Sequence, residues 1–136
     1  MRITVDTNIL VRVTVLDDRE QTSLTAELLR TAECIAIPLS ALCEFVWVTM
    51  RAYHRAPGEV IEAIISVVNS PGVATDRPAV EAGLAMLAAG GDFADGVIAF
   101  DGRRLGGEVF ASFDRKVVDL VAAQGGGVHL LAPPED

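Results

Sequence analysis

The chain has 136 residues, about half of them apolar, and a formal net charge of −8. That length fits a single domain, residues 1–136, burying roughly two thirds of its unfolded surface, and the apolar share excludes a disordered chain. The acidic balance excludes broad, nonspecific nucleic-acid binding through a basic face, although it leaves room for a nuclease whose acids are themselves the site.

Residues 2–6 read as a first strand running into a short helix from about Asn8. Asp17-Asp18-Arg19-Glu20 resembles a capping box that opens a second helix, with Leu24, Leu28 and Ala32 expected on its buried face. Cys34-Ile35-Ala36-Ile37 is a compact apolar run stopped by Pro38 and reads as the next strand. Ser40 is positioned to cap a helix carrying Leu42, Phe45, Val46 and Met50. Pro57-Gly58 starts another helix, in which Val60, Ile64 and Val68 repeat at four-residue spacing. Asn69-Ser70-Pro71-Gly72 ends it before a brief strand at Val73-Ala74, and Pro78 suits the first turn of a helix through Ala89. Gly90-Gly91 breaks the chain before a helix near Asp92. Glu108–Phe113 is strand-like, Arg115–Ala123 helical, and Val128–Leu131 a final strand. Strands alternating with helices imply right-handed crossovers and a three-layer α/β/α fold around a mainly parallel central sheet.

No apolar run reaches the roughly 18 residues of a membrane span; the richest, from Ile35 to Met50, is broken by Pro38 and Glu44. The strand-like opening leaves no room for a signal peptide, so a cytoplasmic protein is expected. Cys34 and Cys43 lack metal-ligand spacing and do not form a disulfide framework, so both are expected to be reduced core residues.

Four acids fall where a parallel sheet would gather them: Asp6, Glu44, Asp95 and Asp114. In open α/β sheets the functional crevice lies outside the carboxyl ends of the strands. Carboxylates converging there repel one another unless a hard divalent cation stands between them, and such oxygen-rich sites suit magnesium or manganese. Taken singly, each acid has a plainer explanation. Asp6, Asp92 and Asp114 all stand where a helix cap is wanted, and capping accounts for Asp92 fully. Glu44 interrupts the apolar stretch Ala41–Val48, where a half-buried carboxylate would be costly unless paired, although an exposed helix face would also accommodate it. Asp95 is less well explained as a cap, because Val97 and Ile98 turn that part of the helix toward the core. Ser112 points to the same side of its strand as Asp114, where its hydroxyl could orient a carboxylate, a water or a phosphate oxygen. The basic residues come in pairs, Arg51 with Arg55, Arg103 with Arg104, and Arg115 with Lys116, which read equally as solvated helix surface or as an RNA track. His54 and His129 accompany no nucleophilic motif; His54 suits the surface or an RNA contact and His129 a structural place.

Together, Val5-Asp6-Thr7-Asn8-Ile9-Leu10, the lone Glu44, Asp92-Phe93-Ala94-Asp95-Gly96-Val97-Ile98-Ala99 and Ser112-Phe113-Asp114 resemble PIN-domain ribonucleases, and most closely VapC-type toxins of bacterial toxin–antitoxin pairs. The likeness covers essentially the whole chain, in order. It implies that Asp6, Glu44, Asp95 and Asp114 hold magnesium or manganese, with Asn8 and Ser112 as polar supports and Asp92 as an accessory acid. It further implies an endoribonuclease that hydrolyses phosphodiester bonds with cation-activated water, leaving a 5′-phosphate and a 3′-hydroxyl, together with a homodimer and a VapB-type antitoxin. Gly96, where a helix-favouring residue is frequent, and Asp101, within a usually apolar stretch, depart from the family pattern.

Two rivals remain on residues alone. A magnesium-dependent phosphoacceptor signalling domain wants paired acids after the first strand and a lysine after the last long strand, whereas this chain has Asp6-Thr7-Asn8 and a helical Lys116. A catalytically inert PIN-like binding module would keep the fold without the chemistry, and the presence of all four acids disfavours it.

Overall fold

The computed structural model describes residues 1–133. The chain divides into two compact units, Met1–Arg77 and the segment from Pro78 onward.

In the first unit, β1 (Arg2–Thr4), β2 (Cys34–Ala36) and β3 (Val73–Ala74) form a parallel sheet in the order β1-β2-β3. Ile3 pairs with Ile35, and Ile35 with Val73. Backbone pairing runs one residue past β1, from Val5 N to Ala36 O at 3.1 Å, so Asp6 is the first residue free of the ladder. Four helices accompany this sheet: α1 (Thr7–Thr14), α2 (Arg19–Thr31), α3 (Leu39–Arg51) and α4 (Pro57–Val68). α1 packs on α2 and α3, and α3 on α4. Val5, Leu10, Val11, Ile35, Leu42, Phe45, Val46, Val60 and Ile64 are buried.

In the second unit, β4 (Val109–Ser112) and β5 (Gly127–Leu130) pair in parallel, Phe110 opposite Val128 and Ser112 opposite Leu130. α5 (Arg77–Ala88), α6 (Phe93–Arg104) and α7 (Arg115–Ala123) accompany them. Met86, Val117 and Val121 form a core on which Ala99, Phe110, Leu120 and Val128 pack. All three helices stop in the same way. Gly90, Gly106 and Gly125 each adopt positive φ, and the glycine after each donates to the carbonyl five residues back, as in Gly91 N to Met86 O at 2.9 Å. That pairing satisfies last-turn carbonyls, and the left-handed residue it requires costs glycine no Cβ clash.

The elements match the expected order, and every strand pairing is parallel. Three details differ. α2 buries Thr25 while Leu24 is 66% exposed, because a four-residue spacing from Leu24 drifts around a helix of 3.6 residues per turn; the inward stripe runs through Thr25, Leu28, Leu29 and Ala32. α3 begins after Pro38, whose fixed φ of −67° suits the cap position without a side-chain bond, and Ser40 lies inside the helix. Cys34 and Cys43 are reduced, as expected, but both are only partly buried. Among the described residues no helix is long and apolar enough to cross a membrane.

Candidate active site

In the first unit Asp6 lies two residues past the end of β1 and caps α1, its Oδ1 accepting from Ile9 N at 3.1 Å. That bond engages one carboxylate oxygen and leaves the other toward solvent. Asp6 and Asn8 line a hollow of about 450 Å³ together with Arg12. Arg12 is absent from the basic pairs read in the sequence; its signal was a lone cation within the apolar run of α1. It donates to Tyr53 Oη at 3.1 Å and ion-pairs with Asp17, so its guanidinium is held in place on the helix that Asp6 caps.

Glu44 lies in the second turn of α3 and is exposed, which corrects the expectation of a half-buried carboxylate. Its apolar neighbours in sequence point elsewhere: Ala41, Leu42, Phe45, Val46 and Thr49 are the buried positions of α3. The outward stripe is Ser40, Glu44, Trp47 and Arg51, spaced at helical period. Burial therefore supplies no argument for a metal at Glu44; its place on the helix following β2 does not depend on burial.

The second unit brings three acids into one electrostatic neighbourhood. Asp92 occupies the N-cap position of α6, but its side chain makes no capping bond, contrary to the capping role expected of it. Asp95 sits one turn inside α6 and is half-buried. Its carboxyl is pushed above the ordinary range, first by desolvation and then by the negative charges of Asp92 and Asp114. Asp114 caps α7, its Oδ1 accepting from Lys116 N at 3.0 Å and Val117 N at 3.3 Å. Ser112 supports it through the backbone: its hydroxyl accepts from Asp114 N at 3.0 Å.

Asp95 is held where it is by a close helix crossing. A Cβ on Gly96 would lie 2.5 Å from Ala82 O and 2.7 Å from Met86 Cβ, so α5 and α6 approach backbone to side chain. Gly83 on α5 leaves room in the same way for the buried ring of Phe93, which a Cβ there would meet at 2.6 Å. The glycine that departs from the family pattern is thus the residue that lets α6 settle, with Asp95 next to it. Asp101, the other departure, faces the surface and pairs with Arg104 at 2.6 Å.

The donor set is one of hard carboxylate oxygens, which suits magnesium or manganese by chemistry. Like-charge pressure on Asp95 is the condition a divalent cation relieves. Among the described residues, no group of three or more His, Cys, Asp or Glu side chains stands ready-arranged to hold an ion. The acids therefore fit such an ion by donor type and charge rather than by preformed geometry.

The basic residues separate into two kinds. Arg55 pairs with Glu59 at 3.6 Å, and Arg104 with Asp101 while lying 4.8 Å from the Phe100 ring. Arg51 lies over the Trp47 ring at 5.8 Å, and Arg103, Arg115 and Lys116 are exposed. His54, at a positive φ of 54° in the loop after α3, and His129 on β5 are both exposed.

No curated protein matches this chain. The PIN domain family model matches residues 3–122, from β1 into α7, and therefore runs through every acid described above. PIN domains are commonly nucleases that use divalent metals, and with a match over most of its length this chain belongs to the PIN-domain family.

Proposed function

We propose that this protein is a magnesium- or manganese-dependent endoribonuclease and the toxin of a VapBC-type pair. The observation that carries the reading is the charge gathered at Asp95, a half-buried acid pressed by Asp92 and Asp114 within a PIN domain. Carboxylates confined in this way are a stability cost that a metal-binding function explains. The family match spans both compact units, which supports treating residues 1–136 as one domain.

Asp6, Glu44, Asp95 and Asp114 are the residues that would hold the cation. Asp6 and Asp114 each spend one oxygen on a helix cap, which fixes the carboxylate while leaving its second oxygen for a ligand. Asn8 beside Asp6 adds a polar contact for a phosphate or a water, Asp92 beside Asp95 serves as an accessory acid toward the cation, and Ser112 sets the backbone of Asp114. When bound, a divalent cation lowers the pKa of water and stabilises charge on the phosphate and leaving oxygen. The chain need supply no nucleophile of its own.

The substrate in this reading is RNA, and the partners are a VapB-type antitoxin and a second copy of the chain, in the cytoplasm. Leu105 and Phe113, 88% and 81% exposed, offer apolar surface for such protein contacts. Purified protein, free of inhibitor, should cleave RNA in magnesium or manganese, leave 5′-phosphate ends and stop on addition of a chelator. Intact RNA under all these conditions, with binding to RNA retained, would identify an inert binding module instead.

A further inference from the structure

α3 is buried along most of its circumference, and its one outward stripe is Ser40, Glu44, Trp47 and Arg51. Trp47 is 58% exposed, and the Arg51 guanidinium lies 5.8 Å from its ring centre. Among the described residues, Arg51 has no carboxylate partner. A large aromatic left in water beside an unneutralised cation is unusual in a chain of net charge −8, and it is the combination that single-stranded nucleic acids use: a ring face for a base and a cation for the phosphate next to it. The stripe is too narrow and too polar for a helix-in-groove contact, with one aromatic between a carboxylate and a guanidinium. At 1.5 Å per residue, Glu44 and Arg51 are separated by about 10 Å along the helix axis, with Trp47 between them.

Resting on the ribonuclease reading above, we propose that Trp47 is the stacking platform for one unpaired nucleobase of single-stranded RNA, and that Arg51 contacts the adjoining phosphate. The base would then be held one helical turn from Glu44. The site thereby selects unpaired RNA, since a base within a duplex cannot present its face to the ring.

Trp47 is the only tryptophan in the chain, so its fluorescence reports the site directly. Protein in chelator and low salt is titrated with a 12-mer oligouridylate and with an RNA duplex of the same length. The single strand should quench the emission and the duplex should not. Trp47→Ala should weaken single-strand binding by roughly five- to a hundredfold, and Trp47→Phe should restore most of it. Arg51→Gln should flatten the salt dependence of binding by about 0.7 of a unit of slope. In manganese, Trp47→Ala should raise KM on the single strand by the same factor, roughly five- to a hundredfold. Unquenched emission on RNA binding, or equal kcat/KM for wild type and Trp47→Ala, overturns the stacking site while leaving the ribonuclease reading intact. A blue shift that grows with protein concentration without RNA, with a doubling of mass by light scattering, assigns the ring to a contact between copies and overturns it equally. Absence of both binding and cleavage in wild type defeats the ribonuclease reading itself.

Discussion

Gly96→Ala tests how the fold positions Asp95. In most exposed helix interiors this change stabilises by about 1 kcal/mol, because alanine has the higher helix propensity. Here the added Cβ would stand 2.5 Å from Ala82 O, 2.7 Å from Met86 Cβ and 3.0 Å from Gly83 Cα. Two of those three neighbours are backbone atoms of α5, which cannot swing aside as a flexible side chain does. Overpacking of this kind costs about 1–3 kcal/mol, and the rigid contact argues for the upper end. Subtracting the propensity gain leaves a net destabilisation of about 2 kcal/mol, or roughly 6–10 °C in Tm for a chain of this size. Gly102→Ala is the internal control. It lies on the same helix with nothing within 4 Å of its Cβ, and should raise Tm by a few degrees. Thermal melts of wild type and both variants, followed by circular dichroism, give the comparison. If Gly96→Ala melts at or above wild type, the α5–α6 crossing is not what seats Asp95.

Asp95→Asn should stabilise the metal-free protein near neutral pH. The folded state holds the Asp95 carboxyl above its ordinary range, so its contribution to stability is complete below the unfolded carboxylate pKa of about 3.9 and is lost as pH rises through the raised folded value. The melting gap between variant and wild type should therefore be small at pH 3 and widen toward pH 7; a gap that stays constant contradicts the electrostatic account. Manganese at a hundredfold excess over its dissociation constant should add about 2.7 kcal/mol to wild-type stability, seen as a rise in Tm that a chelator reverses. Among the basic residues, Arg103→Gln, Arg115→Gln and Lys116→Gln should each weaken RNA binding and flatten its salt dependence by about 0.7 of a unit of slope. Arg55→Gln and Arg104→Gln, whose guanidinium groups already face Glu59 and Asp101, should change the slope little.

Three helix starts, at Asp6, Asp18 and Asp114, were legible because capping is local chemistry. Asp18 accepts from Gln21 N at 3.0 Å, as the capping pattern at Asp17-Asp18-Arg19-Glu20 implies, and Asp114 at the end of its strand accepts from two amides. The same locality misled at Asp92, which has the right residue type and place but makes no side-chain cap bond. Glu44 was misjudged because neighbours in sequence are not neighbours on a helix: Leu42, Phe45 and Val46 turn inward while Glu44 and Trp47 share the outward stripe. The role of Gly96 was invisible for another reason. It depends on contact with Ala82 and Met86 across a helix crossing, and no local pattern encodes that approach. The acids themselves were readable as residue types at strand and helix ends. Of the pressure on Asp95, the share from Asp92 is local, three positions away, whereas the burial and the share from Asp114, nineteen positions away in the chain, arise only once α6 and α7 are folded.

The most direct test of the account is RNA cleavage in manganese by wild type, Asp6→Asn and Asp95→Asn, each first shown to be folded by its melt. Both substitutions keep side-chain size, and asparagine caps α1 about as well as the Asp6 it replaces. Wild type should cut RNA and be silenced by a chelator, while each variant should lose activity by orders of magnitude with its fold intact. Full cleavage by both folded variants would contradict the assignment of these acids to a metal-dependent nuclease site.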